Sequence, residues 1–356
     1  MQQVFAWANS CLKSHELCRN HWKHSSSQRQ LPTRLLDVGE TRHEPYIRLQ
    51  ATNNIPSDTP YLTLSHCWGS KRLISLTTET MSNFEKAIQI SDLPSTFRDA
   101  VDFVRSCGLR YLWIDSLCIV QNSPDDWGKE SSLMAAAYSH AILNLSAAGA
   151  KDGEGCLFHR SKSFKTQPCI MYASAEDKTS FSFICRPYDA WGTSIETSPL
   201  GTRGWVLQER LLSPRIIHFA SDQLFWECCQ GYDAEILPWS SIRSSNGHLK
   251  SLSSNIREFE LDDEKLHKYW RDTVSKYSKC KLSVSSDKLP AISGLASRFC
   301  RQLKLSPTDY LAGIWRNRLP EDFIWTTNWR YGGSDSCVRV PDRAPSWSWA
   351  SIDGEI

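Results

Sequence analysis

The chain has 356 residues, 40% of them hydrophobic, which is enough for two domains or for one domain with large additions, and disorder is not expected. Its 41 lysine and arginine residues nearly balance 39 acidic residues, without the charge runs of a nucleic-acid or membrane-surface patch. No apolar stretch of about 18 residues predicts a membrane span, and the N-terminus lacks a signal-peptide pattern. We therefore expect a cytoplasmic protein that binds no nucleic acid.

The N-terminal extension, residues 1–60, contains a cluster of cysteine and histidine residues: Cys11, His15, Cys18, His21 and His24. On a helix with one face turned to a metal, this spacing can supply tetrahedral zinc ligands. The alternative is an amphipathic helix whose Cys11 and Cys18 face the body of the protein as small buried hydrophobes. Because no CxxC pair and no second ligand pair follow downstream, we assign no metal ligand and no cofactor.

Residues 61–147 alternate between apolar strands and amphipathic helices. The strand patterns cover 61–67, 111–119 and 141–147, and the helices between them lie within 91–111 and over 127–138. Strands that are joined through helices form parallel sheets, so the alternation predicts a doubly wound α/β fold. In such sheets the ligand site lies beyond the carboxyl ends of the strands.

The first of these strands runs into the sequence Ser-His-Cys-Trp-Gly. We expect four residues here to contact a substrate, the first two by bonding phosphate or ribose: Ser65, His66, Trp68 and Gly69. A cysteine hydrolase is an alternative. Consecutive strand residues point to opposite faces, so His66 cannot readily activate Cys67, and that nucleophile would need His140 or His218 as its base.

Asp115 interrupts the apolar strand pattern of residues 111–119. Burial of an ionised carboxylate without partners is costly, so Asp115 must find a partner. We expect it to belong to the substrate site. Alternatively, it caps a loop or pairs with an arginine such as Arg110 or Arg203.

Residues 204–228 predict a helix that stops near Pro214 and is followed by two strands, at Arg215–Phe219 and 223–228. One face of the helix has residues at spacings of three and four: Trp205, Gln208, Glu209 and Leu212. For Trp205 the alternative to a ligand contact is core packing. For Glu209 it is a surface carboxylate paired with Arg203 or Arg210.

The sequence after residue 239 separates into a serine-rich linker, 240–255, and a C-terminal region, 256–356, that is first helical and then tryptophan-rich. The helices are expected over 256–278 and near 287–303. Trp347 and Trp349 alternate with serines as in an edge strand. Because we expect the partner of that strand beyond Ile356, we interpret the chain as truncated.

Three segments in this order resemble the fungal heterokaryon incompatibility domain: YLTLSHCWG, the run from LPSTFRDAV to LNLSAAG, and RGWVLQERLLSPRIIHF. The resemblance spans about residues 61–212, and we assign 61–239 to this domain. The flanking segments LPTRLLDVG, SDKLPAISGLA, YLAGIW and APSWSWAS resemble the extensions that commonly surround it. Such domains trigger cell death when genetically different hyphae fuse.

The resemblance also implies a distant relation to Toll/interleukin-1 receptor-like domains. Their flavodoxin-like fold, a parallel sheet with helices on both faces, agrees with the alternation above, and here it would carry α+β extensions at both ends. Some members cleave NAD with a glutamate that follows a tryptophan by four residues on a helix. Trp205 and Glu209 have that interval. We therefore assign Glu209 as the catalytic residue, with Trp205 and Arg203 among the substrate-binding residues.

The sequence contains neither GxGxxG after the first strand nor GxxxxGK[ST], so NAD is expected as a substrate and not as a bound cofactor. The rival function is a non-catalytic death-signalling scaffold that self-associates or binds another incompatibility protein. Its expected contact surfaces are the helix at 127–138 and the tryptophan-rich C-terminal region.

Overall fold

The structure is a computed structural model that describes residues 1–19, 30–41, 43–69, 73–158, 169–174, 180–185, 189–235, 250, 263–327 and 337–356. His21 and His24 of the N-terminal cluster lie outside the described residues. So does the expected linker at 240–255, apart from Lys250.

A nine-stranded sheet organises the chain. Its strands are β1 Arg34–Asp37, β2 Tyr46–Ala51, β3 Tyr61–Ser65, β4 Ile88–Gln89, β5 Tyr111–Ile114, β6 Leu143–Ser146, β9 Arg215–Phe219, β10 Leu224–Cys228 and β11 Tyr232–Ala234. Their spatial order is β11-β10-β9-β6-β3-β5-β1-β2-β4. The strands β7 Cys169–Ser174 and β8 Ser180–Cys185 form a separate antiparallel pair.

The centre of the sheet is parallel. β3 pairs in parallel with β5 on one side and with β6 on the other, and β6 pairs in parallel with β9. In chain order these four strands have the spatial arrangement 2-1-3-4. The order reverses at β3, which makes the carboxyl end of β3 a topological switch point, where α/β sheets place their ligands.

Antiparallel strands border this parallel centre on both sides. β5 pairs with β1, β1 with β2 and β2 with β4, and at the other edge β9 pairs with β10 and β10 with β11. The α/β class is therefore confirmed, but the sheet is mixed and not wholly parallel. Connections as short as the one between β9 and β10 can only join antiparallel strands, whereas parallel strands need long crossovers.

The helices that the structure describes are α1 Gln2–Ser14, α2 Met81–Lys86, α3 Ser95–Ser106, α4 Asp115–Cys118, α5 Pro124–His140, α6 Gly204–Leu212, α7 Asp263–Ser278 and α8 Pro290–Gln302. α3 buries Phe97, Ala100, Val101 and Val104 on one face, as its apolar spacing predicts. None of the described helices has the length and apolar character that a membrane crossing requires.

The C-terminal helix α8 packs against α5 and α6. The amide of Gly294 donates a hydrogen bond of 2.7 Å to Oε1 of Gln208, and a Cβ at Gly294 would lie 2.5 Å from Cβ of Ala135. Only glycine allows so close an approach. The C-terminal region therefore helps to hold α6 in place.

Two strand expectations are wrong. The strand expected over 111–119 ends at Ile114, and Asp115 begins the short helix α4, because its carboxylate accepts a 2.8 Å hydrogen bond from the Ser116 amide. Trp349 lies in a 3₁₀ turn, Trp349–Ser351, and is buried. The strand that follows, Ile352–Asp353, pairs with Val338–Arg339 inside the chain.

A buried aspartate ties β1 to its two neighbours. Asp37 is 2% exposed and accepts hydrogen bonds of 2.9–3.0 Å from Arg48 on β2 and from Arg110, which precedes β5. Although burial alone would raise the pKa of Asp37, the two arginines hold it below its usual range.

We expect Asp37→Asn to lower the free energy of unfolding by about 2 kcal/mol at neutral pH, because two partly solvated guanidinium groups lose their anionic partner. Urea denaturation measures this. A carboxyl group whose pKa is depressed in the folded state stabilises the protein at pH values above its unfolded pKa of about 3.9, and this stabilisation is lost as the pH falls. The difference in unfolding free energy between wild type and Asp37→Asn should therefore shrink in acid. Exposed Asp102, changed to Asn, is the control; equal effects of the two variants would contradict the prediction.

Candidate active site

The carboxyl end of β3 is the centre of the site. Ser65, His66 and Cys67 are all buried there, and Ser65 pairs in register with Ser146 at the end of β6. Leu62, Leu64, Leu143 and Leu145 are the apolar residues of the two strands, and Thr63 and Asn144 are buried polar residues between them. Polar groups therefore continue from the carboxyl edge into the strands.

Helix α6 brings Glu209 to this edge. Glu209 is only 6% exposed, and its Oε2 accepts a hydrogen bond of 2.5 Å from the Ser65 hydroxyl. The Ser65 hydroxyl accepts a bond of 3.0 Å from the Asn144 amide. The alternative of a surface carboxylate is wrong, since Arg210 pairs at 2.9 Å with Glu227 instead.

The pKa of Glu209 is raised to about 7, mainly by burial and also by the negative charge of Asp115. The hydrogen bonds from Ser65 and Tyr138 and the positive charge of Arg203 act in the opposite direction. The carboxyl group is therefore close to half protonated at neutral pH. A glutamate held in this state can give or take a proton near physiological pH.

A second carboxylate, Asp115, lies at the end of the neighbouring strand β5. Its Oδ1 is 3.5 Å from Nδ1 of His66, and its Oδ2 accepts a bond of 3.1 Å from the Trp68 indole. The expected alternative partner, Arg110, is bound to Asp37 instead. Asp115 therefore joins His66 and Trp68 into one network.

His66 is buried, and its ring packs edge-on against Phe97 with the centroids 4.8 Å apart. Burial lowers the pKa of His66; the charge of Asp115 opposes this shift, and that of Arg203 adds to it. The imidazole is therefore neutral at pH 7. With Nδ1 facing Asp115, Nε2 has no hydrogen-bond partner among the described residues.

Arg203, at the start of α6, supplies positive charge to the same region. It acts electrostatically on Glu209, His66 and Cys67. Within the described part of the chain, Arg203 forms no ion pair with a carboxylate. A cation without a fixed counter-charge favours an anionic ligand.

Trp68 and Gly69 form the outer part of the site. Gly69 has a φ of +70°, and a Cβ there would lie 2.4 Å from Cβ of Asp152, so the turn after β3 requires glycine. A cleft of about 290 Å³ is lined by Trp68 and by charged residues, Arg98, Asp92, Asp152 and Glu154, and of the expected site residues its lining includes only Trp68. This volume is close to the lower limit of small-molecule sites.

Trp205 does not join these contacts. Its indole donates a hydrogen bond of 3.0 Å to Asp287, and its ring meets Trp127 edge-on with the centroids 6.3 Å apart. It is partly buried against the core. The geometry therefore agrees with the packing alternative for Trp205, one turn before Glu209.

The candidate bases of a cysteine hydrolase lie elsewhere. His218 is 3.0 Å from both the Ser146 hydroxyl and Glu227, and His140 contacts the backbone of Gln30. Burial raises the pKa of the Cys67 thiol, which keeps it protonated. Among the described residues, neither His140 nor His218 is placed as a base for Cys67.

Sequence reasoning missed Asn144 and Tyr138. Asn144 is 1% exposed and connects Thr63 and Ser65 through side-chain hydrogen bonds. Asn144 is a polar residue within an otherwise apolar strand, and this pattern could have identified it in the sequence, as the same pattern identified Asp115. Tyr138 had no such signal, since a tyrosine on the buried face of a helix is common core packing.

The fold and the site define a mixed α/β domain with a buried acid at the carboxyl edge of its parallel strands. Residues 61–209 match the family model HET, described as heterokaryon incompatibility protein. The matched segment begins with β3 and ends at Glu209, so it contains every expected site residue. It supports the predicted heterokaryon incompatibility domain over these residues. No curated protein and no solved structure gives a significant match.

The raised pKa of Glu209 predicts a pH-dependent stability. Between about pH 4.5 and about 7 the folded chain retains a proton that the unfolded chain has lost, so stability falls as pH rises through this window. Glu209→Gln mimics the protonated acid and removes the effect. We expect the unfolding free energy of wild type to fall by about 3 kcal/mol relative to that of Glu209→Gln across this pH window, as measured by urea denaturation. Exposed Glu85, changed to Gln, is the control; parallel pH curves for wild type and Glu209→Gln would contradict the prediction.

Proposed function

We propose that this protein is an effector of fungal non-self recognition and cell death that hydrolyses the nicotinamide–ribosyl bond of NAD, with Glu209 as the catalytic carboxylate. The heterokaryon incompatibility match over residues 61–209 supports the cell-death role. The observation that carries the catalytic proposal is the burial of Glu209 against Ser65 at the switch point of the sheet. The 2-1-3-4 order of the parallel strands supports a flavodoxin-like relation to Toll/interleukin-1 receptor-like domains.

The positive charge of Arg203 suits NAD as a substrate. Its pyrophosphate is anionic, and Arg203 is a cation without a carboxylate partner among the described residues. The nicotinamide ring is cationic and would favour the ionised form of Glu209 nearby. Trp68, fixed by its bond to Asp115, offers an aromatic face beside the cleft.

Breaking the glycosidic bond transfers its electron pair to the nicotinamide nitrogen, so neutral nicotinamide leaves and the ribose becomes an oxocarbenium-like cation. The Glu209 carboxylate would hold a ribose hydroxyl and stabilise this positive charge. Water then adds to the anomeric carbon and gives up a proton, which yields ADP-ribose. Neutral His66, oriented by Asp115 and with Nε2 unbonded among the described residues, would accept that proton.

The second candidate is a non-catalytic scaffold that self-associates. The supporting observation is the exposed apolar surface of the C-terminal region, where Ile324 is 79% exposed and Phe323 meets the partly exposed Trp347 edge-on. Trp127 at the start of α5 is also 36% exposed. Contiguous apolar patches of this kind often mark association sites.

Glu209→Gln tests the catalytic proposal in cells and with purified protein. We expect expression of wild type to deplete NAD and cause death, and Glu209→Gln to lower NAD cleavage by at least about a thousandfold while preserving the fold, because charge stabilisation is lost. Exposed Glu85, changed to Gln, should behave like wild type. Death that persists with NAD unchanged would reject NAD cleavage and favour the scaffold.

The pH profile provides a separate test. If ionised Glu209 is required in the free enzyme, kcat/KM for NAD should rise about tenfold per pH unit below about 7 and level off above it. Ser65→Ala removes a hydrogen bond that lowers the pKa of Glu209, so its midpoint should move to higher pH. A flat profile from pH 5 to 8, or a midpoint that does not move in Ser65→Ala, would contradict the assignment of Glu209.

A further inference from the structure

A cluster of four metal-ligand side chains lies far from the candidate active site. Cys11, His15, Cys18 and Cys228 are all buried, and their possible ligand atoms lie within 4.8 Å of one another. Nδ1 of His15 is 3.2 Å from Sγ of Cys228. Three sulfurs and one imidazole that converge in this way form a donor set typical of structural zinc.

The fold assembles this cluster from two distant parts of the chain. Cys11 and His15 are four residues apart at the end of α1, so they share one helical face. Cys18 follows in the next helical turn, and Cys228 is the last residue of β10. A hydrogen bond of 2.7 Å from the Trp7 indole to Asp233 on β11 fixes α1 against this edge of the sheet.

A buried positive charge lies beside the cluster. Arg215 is 3% exposed, and its Nε donates a bond of 3.3 Å to Sγ of Cys11. Its Nη2 has no hydrogen-bond partner among the described residues, and Arg215 forms no carboxylate pair there. A buried guanidinium favours an anionic neighbour, and a metal-bound set of cysteine thiolates would supply one.

We propose that Cys11, His15, Cys18 and Cys228 bind one structural Zn²⁺. Three thiolates, a neutral imidazole and Zn²⁺ together carry a charge of −1, which Arg215 neutralises. Four protein ligands fill the tetrahedron and leave no position for a reactive water, so the site is structural and not catalytic. Cys229 is not a ligand, because its thiol donates to the carbonyl of Pro214.

The metal would act as a cross-link between distant parts of the chain. His15 and Cys228 are 213 positions apart, so one ion would close a very long loop and clamp α1 to β10. β10 also carries Glu227, the partner of Arg210 on α6. The ion would therefore stabilise the edge of the sheet that adjoins the helix of Glu209.

Metal analysis of the full chain, purified under reducing conditions with zinc present, tests the proposal. We expect about one zinc per chain in wild type and a loss of at least about tenfold in Cys228→Ser. Cys300→Ser removes another buried cysteine, on α8, and should retain the metal. Zinc-free wild type, or zinc retained in Cys228→Ser, would overturn the proposal.

Two further measurements keep the test decisive if Cys228→Ser fails to fold. Cobalt-substituted wild type should show the visible bands of tetrahedral Co²⁺ and thiolate-to-cobalt charge transfer. His15→Cys should retain about one metal per chain and strengthen the charge-transfer band, because a fourth thiolate replaces the imidazole. Octahedral cobalt, or a Cys11–Cys18 disulfide in place of bound metal, would reject the site. None of these readouts depends on NAD cleavage.

Discussion

The site depends on one constraint, the placement of the Glu209 carboxylate out of water against the Ser65 hydroxyl. Asp37 and Glu227 are as deeply buried, but each is neutralised by arginine. Glu209 instead has hydroxyl partners, Ser65 and Tyr138, which satisfy its oxygens without cancelling its charge. Desolvation therefore dominates, and the acid stays partly protonated at a pH where an exposed glutamate would be fully ionised.

The surrounding structure maintains that placement from several directions. Ser65 and Asn144 are held in place on the paired strands β3 and β6. The position of α6 is fixed by its continuation into β9 and by the hydrogen bond between Gln208 and the Gly294 amide on α8. The segment that matches the heterokaryon incompatibility model ends at Glu209, yet β1, β2, β9, β10 and β11 of the same sheet lie outside it. The flanking segments therefore belong to the physical unit that holds the acid.

Asp115 has both a positioning role and an electrostatic role in the site. It binds the Trp68 indole and faces Nδ1 of His66, so it positions an aromatic ring and a neutral base at once. Its charge also raises the pKa of Glu209. The two carboxylates differ in environment: Asp115, at the end of β5, is partly solvated and bonded by donors, whereas Glu209, on α6, is buried.

The sequence alone determined the α/β alternation, the strand that carries Ser65, the helix that carries Glu209 and the need of Asp115 for a partner. Each of these follows from local periodicity or from the cost of burying a charge. Tertiary structure decided the mixed sheet, the end of β5 at Ile114 and the diversion of Trp205 to Asp287. It also brought Cys228 to Cys11, His15 and Cys18, a juxtaposition that depends on the pairing order of strands far apart in the chain. No local sequence pattern predicts that pairing order, because strand pairing is a property of the whole sheet.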